Sequence, residues 1–172
     1  MEFYALVPEN GIAGGIECQV QLVDALRSLN EKAYLSYYPQ HLDDKTETTY
    51  KEYGYNVSSK ALKDDKNHIV IIPEIQTFLA TKYKKSKKVI NWLSIDNYYQ
   101  RKHKSSVRDF YMKYKTLYRS RLPIKDLRHY YHLAQSHYAL KYLEKNYIRP
   151  IYTGDYIGQR FINESKSFNT EL

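Results

Sequence analysis

The chain has 172 residues, with 27 Lys/Arg against 19 Asp/Glu for a net charge of +8, and it carries 20 tyrosines. That length suits one domain with a sizeable core, and the single cysteine, Cys18, excludes an internal disulfide and a cysteine-based zinc site. No apolar run approaches the roughly 18 residues of a membrane span; the opening MEFYALVPEN, acidic at position 2, does not read as a secretory signal, so a cytoplasmic location is expected.

Glu2 to Pro8 reads as a short buried strand. Gly15 to Asn30 sets Ile16, Val20, Val23, Leu26 and Leu29 at helical spacing, with Cys18 expected among them as a small buried hydrophobe. The turn between, PENGIAGG, carries Gly11, Gly14 and Gly15, which fit neither G-x-G-x-x-G nor a P-loop. Backbone amides that open a helix attract anions, phosphate above all, so Gly14 and Gly15 are candidates for close approach to a ligand. The alternative is a tight turn that needs positive φ and holds nothing.

Lys32 to Tyr38 follows as a second strand. Gln40 to Asn67 is polar and lacks strong periodicity, and an irregular excursion is expected there. HIVIIP, His68 to Pro73, is a continuous β-branched run of the kind buried on both faces. Ile75 to Tyr83 reads as a helix, Lys88 to Leu93 as a fourth strand, and Tyr131 to Gln135 as a fifth. Ser136 to Asn146 supplies a helix, with Tyr138, Leu140, Tyr142 and Leu143 among its apolar positions, and Ile151 to Thr153 a last short strand. Strands alternating with helices imply right-handed crossovers and a parallel sheet. Ligands in such sheets bind beyond the carboxyl ends of the strands. Four segments should share that rim: PENGIAGG with Glu9, PEIQ with Glu74, SIDNYY with Ser94, Asp96, Asn97 and Tyr98, and QSHY with Ser136.

Each candidate has a plainer reading. Glu9 and Glu74 each follow a proline at a strand end, where a carboxylate is either a site group or a solvated loop residue. Asp96 and Asn97 are explained nearly as well by an Asx turn. His68, His129 and His132 read as structural or exposed, and without H-x-x-x-H, H-E-x-x-H or D-x-D spacing no metal site is expected.

The charge is localised. Between Tyr99 and Tyr131 ten Lys/Arg face only Asp109 and Asp126, a net +8 that equals the excess of the whole chain. Within it, Val107, Phe110, Tyr111, Tyr114, Leu117 and Tyr118 form one helical stripe, with Arg108, Lys115 and Arg119 off it. Such a helix either packs on its own sheet or lies on an anionic membrane surface, with Arg108, Lys113, Lys115, Arg119 and Arg121 as the anion-binding residues. Interleaved tyrosine and basic residues would also suit single-stranded nucleic acid, although no nucleic-acid motif accompanies them.

ENGIAGGIECQVQLVDALRSL resembles the Gly-Gly-x-Glu turn and first helix of GT-B glycosyltransferases of the retaining, sugar-polymer-building kind. HIVIIPE, KKVINWLSIDNYY and HLAQSHYALKYLEKN, in that order, are similar to segments of bacterial capsule and lipopolysaccharide transferases. The likeness runs from Phe3 to about Ile162. It implies a single Rossmann-like α/β domain over residues 1–172, half of a GT-B fold, with a basic, tyrosine-rich insertion at about 99–131. It also implies a nucleotide sugar as donor with no further cofactor, and a cell-surface saccharide, lipid-linked at the inner membrane face, as acceptor. Gly14 and Gly15 would then sit beside the donor diphosphate. Asp96 and Glu74 would lie at the transferring sugar as catalytic residues, and Glu9, Glu17, Ser94, Asn97, Tyr98 and Ser136 on the acceptor side. The family's second, donor-binding domain, with its E-x7-E pair, has no room in 172 residues. A partner domain or subunit is therefore expected, with no transfer by this chain alone. Glu9 and Glu17 show E-x7-E spacing but flank the glycine turn, and Ser94-Ile95-Asp96-Asn97 stands where the family's catalytic histidine is usual. The alternative from another class is a basic α/β nucleic-acid-binding module without enzymatic activity.

Overall fold

A computed structural model of the protein describes residues 1–8, 14–38, 44–99 and 121–154. Its strands are β1 (Glu2–Pro8), β2 (Lys32–Tyr38), β3 (His68–Pro73), β4 (Lys87–Trp92), β5 (Tyr131–Ala134) and β6 (Ile151–Tyr152). Its α-helices are α1 (Gly14–Ser28), α2 (Asp44–Glu52), α3 (Ile95–Tyr99), α4 (Ile124–Leu127) and α5 (His137–Lys145), and a 3-10 helix spans Glu74–Thr81. The strands form one sheet in the order β2-β1-β3-β4-β5-β6, with the β1–β2, β4–β5 and β5–β6 pairs parallel. Flanked by helices, this is the Rossmann-like α/β arrangement that strand–helix alternation predicts. Among the described residues the contacts divide into two compact units, residues 1–70 and 71–154.

In the first unit β1 and β2 run in register, Tyr4 opposite Tyr34 and Leu6 opposite Ser36. Their interior is closed by α1, which buries Ile16, Val20 and Val23 on one stripe. Leu29 does not join that stripe. The helix stops at Ser28, and Asn30 takes positive φ (61°) while Glu31 N–H returns to the Leu26 carbonyl at 3.0 Å, a left-handed helix ending that turns Leu29 out to 73% exposure. Cys18, expected to be enclosed, is half-buried.

The expected irregular stretch contains α2. Its threonines and charges give almost no apolar period, yet Thr46 and Tyr50, one turn apart, are both buried. The Tyr50 ring meets those of Tyr53 and Tyr55, and Gly54 makes the turn out of the helix at φ 91°. Residues 58–60 then run beside β2, with Leu35 N–H on the Ser58 carbonyl and Lys60 N–H on the Leu35 carbonyl, both at 2.9 Å.

In the second unit β4 and β5 pair Val89 with Tyr131 and Trp92 with Ala134. Ile90, Trp92, Leu79, Leu127, Ala134, Ala139 and Leu143 are sealed from solvent. The helix expected over 75–83 is instead the 3-10 helix, one residue earlier and kinked at Gln76 (φ −128°, ψ 28°). Pro73, at φ −66° and ψ 151°, supplies the extended entry to it. Of the apolar positions read in α5, Leu143 is buried, Leu140 and Tyr142 are half-buried, and Tyr138 is exposed. Among the described residues no helix is long and apolar enough to cross a membrane.

Candidate functional site

Three of the four expected rim segments meet in the second unit. Glu74 begins the 3-10 helix directly after β3, Ser94 to Tyr98 follow β4, and Ser136 follows β5. One bond ties the first two ends together: Leu93 N–H donates to Glu74 Oε2 at 3.2 Å. A second ties the next two, Gln135 N–H to the Trp92 carbonyl at 3.2 Å.

Glu74 is not a solvated loop carboxylate, for it is only 2% exposed. Burial raises its carboxyl from the ordinary 4.5 to about 7, against the pull of the backbone N–H groups of Leu93, Glu74 itself and Ser94, and the charge of Arg121. A carboxyl placed there can hold or release a proton near neutral pH.

The loop after β4 is shaped by Ser94, whose hydroxyl accepts Asn97 N–H at 3.1 Å and caps α3. This cap orders the start of the helix, and Asp96 and Asn97 are exposed on its first turn. Tyr98 points the other way. Its ring packs on Trp92 with centroids 5.0 Å apart, and its hydroxyl, held neutral by burial, donates to the Leu122 carbonyl at 2.5 Å. Leu122 N–H in turn donates to Thr77 Oγ1 at 2.8 Å. This double clamp fixes the backbone beside Arg121, whose guanidinium lies partly buried within the field of Glu74. Arg121, expected on an anion-binding surface, is thus partly buried and close enough for its charge to act on Glu74. Glu9, Arg108, Lys113, Lys115 and Arg119 lie outside the described residues.

Ser136 is the N-cap of α5, accepting Ala139 N–H at 3.2 Å. His132 is structural, as its sequence context suggests. It accepts from Trp92 Nε1 at 2.9 Å and donates from Nε2 to the Leu127 carbonyl at 2.9 Å, a neutral tautomer that burial keeps unprotonated. Among the described residues no group of three or more His, Cys, Asp or Glu could hold a metal ion.

In the first unit Gly14 and Gly15 are exposed and belong to α1 itself. The positive-φ glycines of the described chain are Gly54 and Gly154, so a strained turn is not what requires glycine at 14 and 15. A Cβ on Gly14 would meet nothing within 4 Å. Glu17 is engaged in the fold, accepting from the Tyr55 hydroxyl at 2.9 Å while Gln21 Nε2 donates to that hydroxyl at 3.1 Å.

The sequence reading missed the charge coupling of Glu74 with Arg121 and the bond from Leu122 N–H to Thr77 Oγ1. No local signal announces either, since the two charges belong to separate elements and only the folded backbone brings them together. Comparison with known protein families, curated proteins and solved structures finds no match.

Proposed function

We propose that the chain is the acceptor-side half of a glycosyltransferase, moving a sugar from a nucleotide sugar to a saccharide hydroxyl when completed by a donor-binding domain or subunit. The observation that carries this reading is Glu74, a buried carboxyl at a strand's carboxyl end, whose proton affinity lies near neutrality and which is bonded to the loop that displays Asp96. Sugar transfer to a hydroxyl needs a group that manages a proton near neutral pH. Asp96, exposed on α3, is the carboxylate that contacts the acceptor, and Glu74 holds the loop and its charge balance from beneath. The ordered motifs resembling polysaccharide transferases support the same assignment, with Gly14 and Gly15 on the donor-diphosphate side. The basic residues Arg108, Lys113, Lys115 and Arg119 are assigned to an anionic membrane surface carrying the acceptor.

Trp92, the sole tryptophan and the last residue of β4, gives the test its probe. Its fluorescence is to be titrated with an oligosaccharide, a nucleotide sugar, an oligonucleotide and anionic vesicles. A saturable change with the sugars, weakened by Asp96→Asn, is expected. Saturation by the oligonucleotide with no response to either sugar would establish the nucleic-acid-binding alternative instead.

A further inference from the structure

Helices α1 and α5 end alike, but not with the same residue. After α1, Asn30 takes φ 61°, with its N–H on the Arg27 carbonyl and Glu31 N–H on that of Leu26. After α5, Tyr147 takes φ 62°, with its N–H on the Glu144 carbonyl and Ile148 N–H on that of Leu143. Asparagine suits this left-handed position, whereas a bulky aromatic residue strains it. Burial does not hold the ring there, because Tyr147 is 82% exposed. A residue that opposes its local backbone without packing inside points to a task at the surface.

The surroundings of the ring indicate that task. The Arg128 guanidinium lies 5.2 Å from the ring centroid, and Arg128 Nε donates to the Asn146 carbonyl at 3.0 Å. Parallel pairing brings more charge to the same edge of the second unit. Val89 of β4 lies opposite Tyr131 of β5, and Leu133 of β5 opposite Ile151 of β6. Lys87 and Lys88 open β4, Arg128 precedes β5 and Arg149 precedes β6, so these cations gather at the strands' amino ends. Segments 82–88, 125–131 and 144–149 carry nine Lys/Arg against two acids, Asp126 and Glu144.

A solvent-facing ring braced by a guanidinium and flanked by cations is the arrangement that holds a nucleobase and its phosphates. A saccharide chain has no π face to stack. A bilayer docked here would lie about 20 Å from the rim, the length of the six-residue β4, and on the wrong side for an acceptor held at that rim. We propose that the amino-end edge of the second unit binds single-stranded nucleic acid, with a base stacked on Tyr147 and phosphates at Lys87, Lys88 and Arg149. This surface is separate from the rim and holds whether or not the chain transfers sugar.

The test is fluorescence anisotropy of the full chain with a labelled oligothymidylate and with an abasic strand of equal length and charge. The parent should bind the oligothymidylate saturably and the abasic strand about tenfold more weakly, as the loss of one stacked base requires. Tyr147→Asn should weaken oligothymidylate about tenfold, leave the abasic strand unchanged, and keep or raise the Tm, because asparagine suits the turn. Lys87→Gln, Lys88→Gln and Arg149→Gln together should weaken both strands and lower the slope of log affinity against log salt by about 2. The proposal is overturned if neither strand binds, if the parent binds both equally, or if Tyr147→Asn keeps the parent's affinity for oligothymidylate. It is overturned equally if Tyr147→Asn spares both strands and loosens anionic vesicles, which would make the edge a membrane contact.

Discussion

Replacing Glu74 by glutamine tests the physical account of the rim most directly. Burial lifts this carboxyl from 4.5 to about 7, so between those values the folded protein holds a proton that the unfolded chain has released. Stability from this source is fully present below pH 4.5 and is lost as pH rises through 7. At about 1.4 kcal/mol per tenfold change in proton affinity, the whole loss is about 3 kcal/mol, most of it between pH 5 and 8. Glutamine keeps an oxygen for the Leu93 N–H but cannot ionise. Guanidinium chloride unfolding of both proteins at pH 5, 6, 7 and 8, followed by the fluorescence of Trp92, separates the titration from everything the two share. The stability of Glu74→Gln relative to the parent should rise by about 2–3 kcal/mol across that range. Parallel stability curves would show that Glu74 ionises like an ordinary carboxylate, and the idea of a proton-holding rim would fall with them.

The opposite sign is expected at Glu2, whose carboxyl is held down at about 2 by hydrogen bonds from Lys60 and then Tyr4. Its stabilisation is present above pH 4.5 and lost as pH falls towards 2, so Glu2→Gln should cost about 1 kcal/mol at pH 7 and nothing at pH 2, read by unfolding at the two pH values. Tyr55→Phe removes the hydroxyl that joins Gln21 to Glu17 and should destabilise by about 1–3 kcal/mol in denaturant titration, with the far-ultraviolet spectrum unchanged. Ser136→Ala deletes the cap of α5, at a cost of about 1 kcal/mol measured the same way. In the basic segment, Lys113→Glu, Lys115→Glu and Arg119→Glu together should abolish co-sedimentation with anionic vesicles, and high salt should do the same to the parent chain.

What the sequence made legible follows the period of the apolar residues. HIVIIP and EFYALVP are continuous runs bounded by prolines, and both are strands at the expected residues. The stripe of Ile16, Val20 and Val23 fixed α1 in the same way. α2 escaped because its hold on the core is one tyrosine and one threonine, too few to raise a helical period above a polar background. The 3-10 helix escaped for another reason. Leu79 and Ala80 are buried as a helix would bury them, but the non-helical backbone at Gln76 breaks the turn before it can propagate as α.

The rim shows where such reading stops. A proline followed by glutamate at the end of a buried strand placed Glu74 at the carboxyl edge, and that placement is correct. Whether the carboxylate would be solvated or enclosed depends on backbone N–H groups from the loop after β4 and on a guanidinium from beyond α3, and no spacing in the sequence encodes that meeting. The consequence divides two carboxylates that look alike in sequence. Asp96, exposed on the first turn of α3, is open to a ligand, so Asp96→Asn should change binding at a small cost in stability. Glu74, beneath the loop, can act on a ligand only through Leu93, Ser94 and Arg121, so its replacement should move the pH dependence of stability first. Asp96→Asn that destabilised the protein as a buried substitution does, by several kcal/mol, would show that the two roles had been assigned the wrong way round.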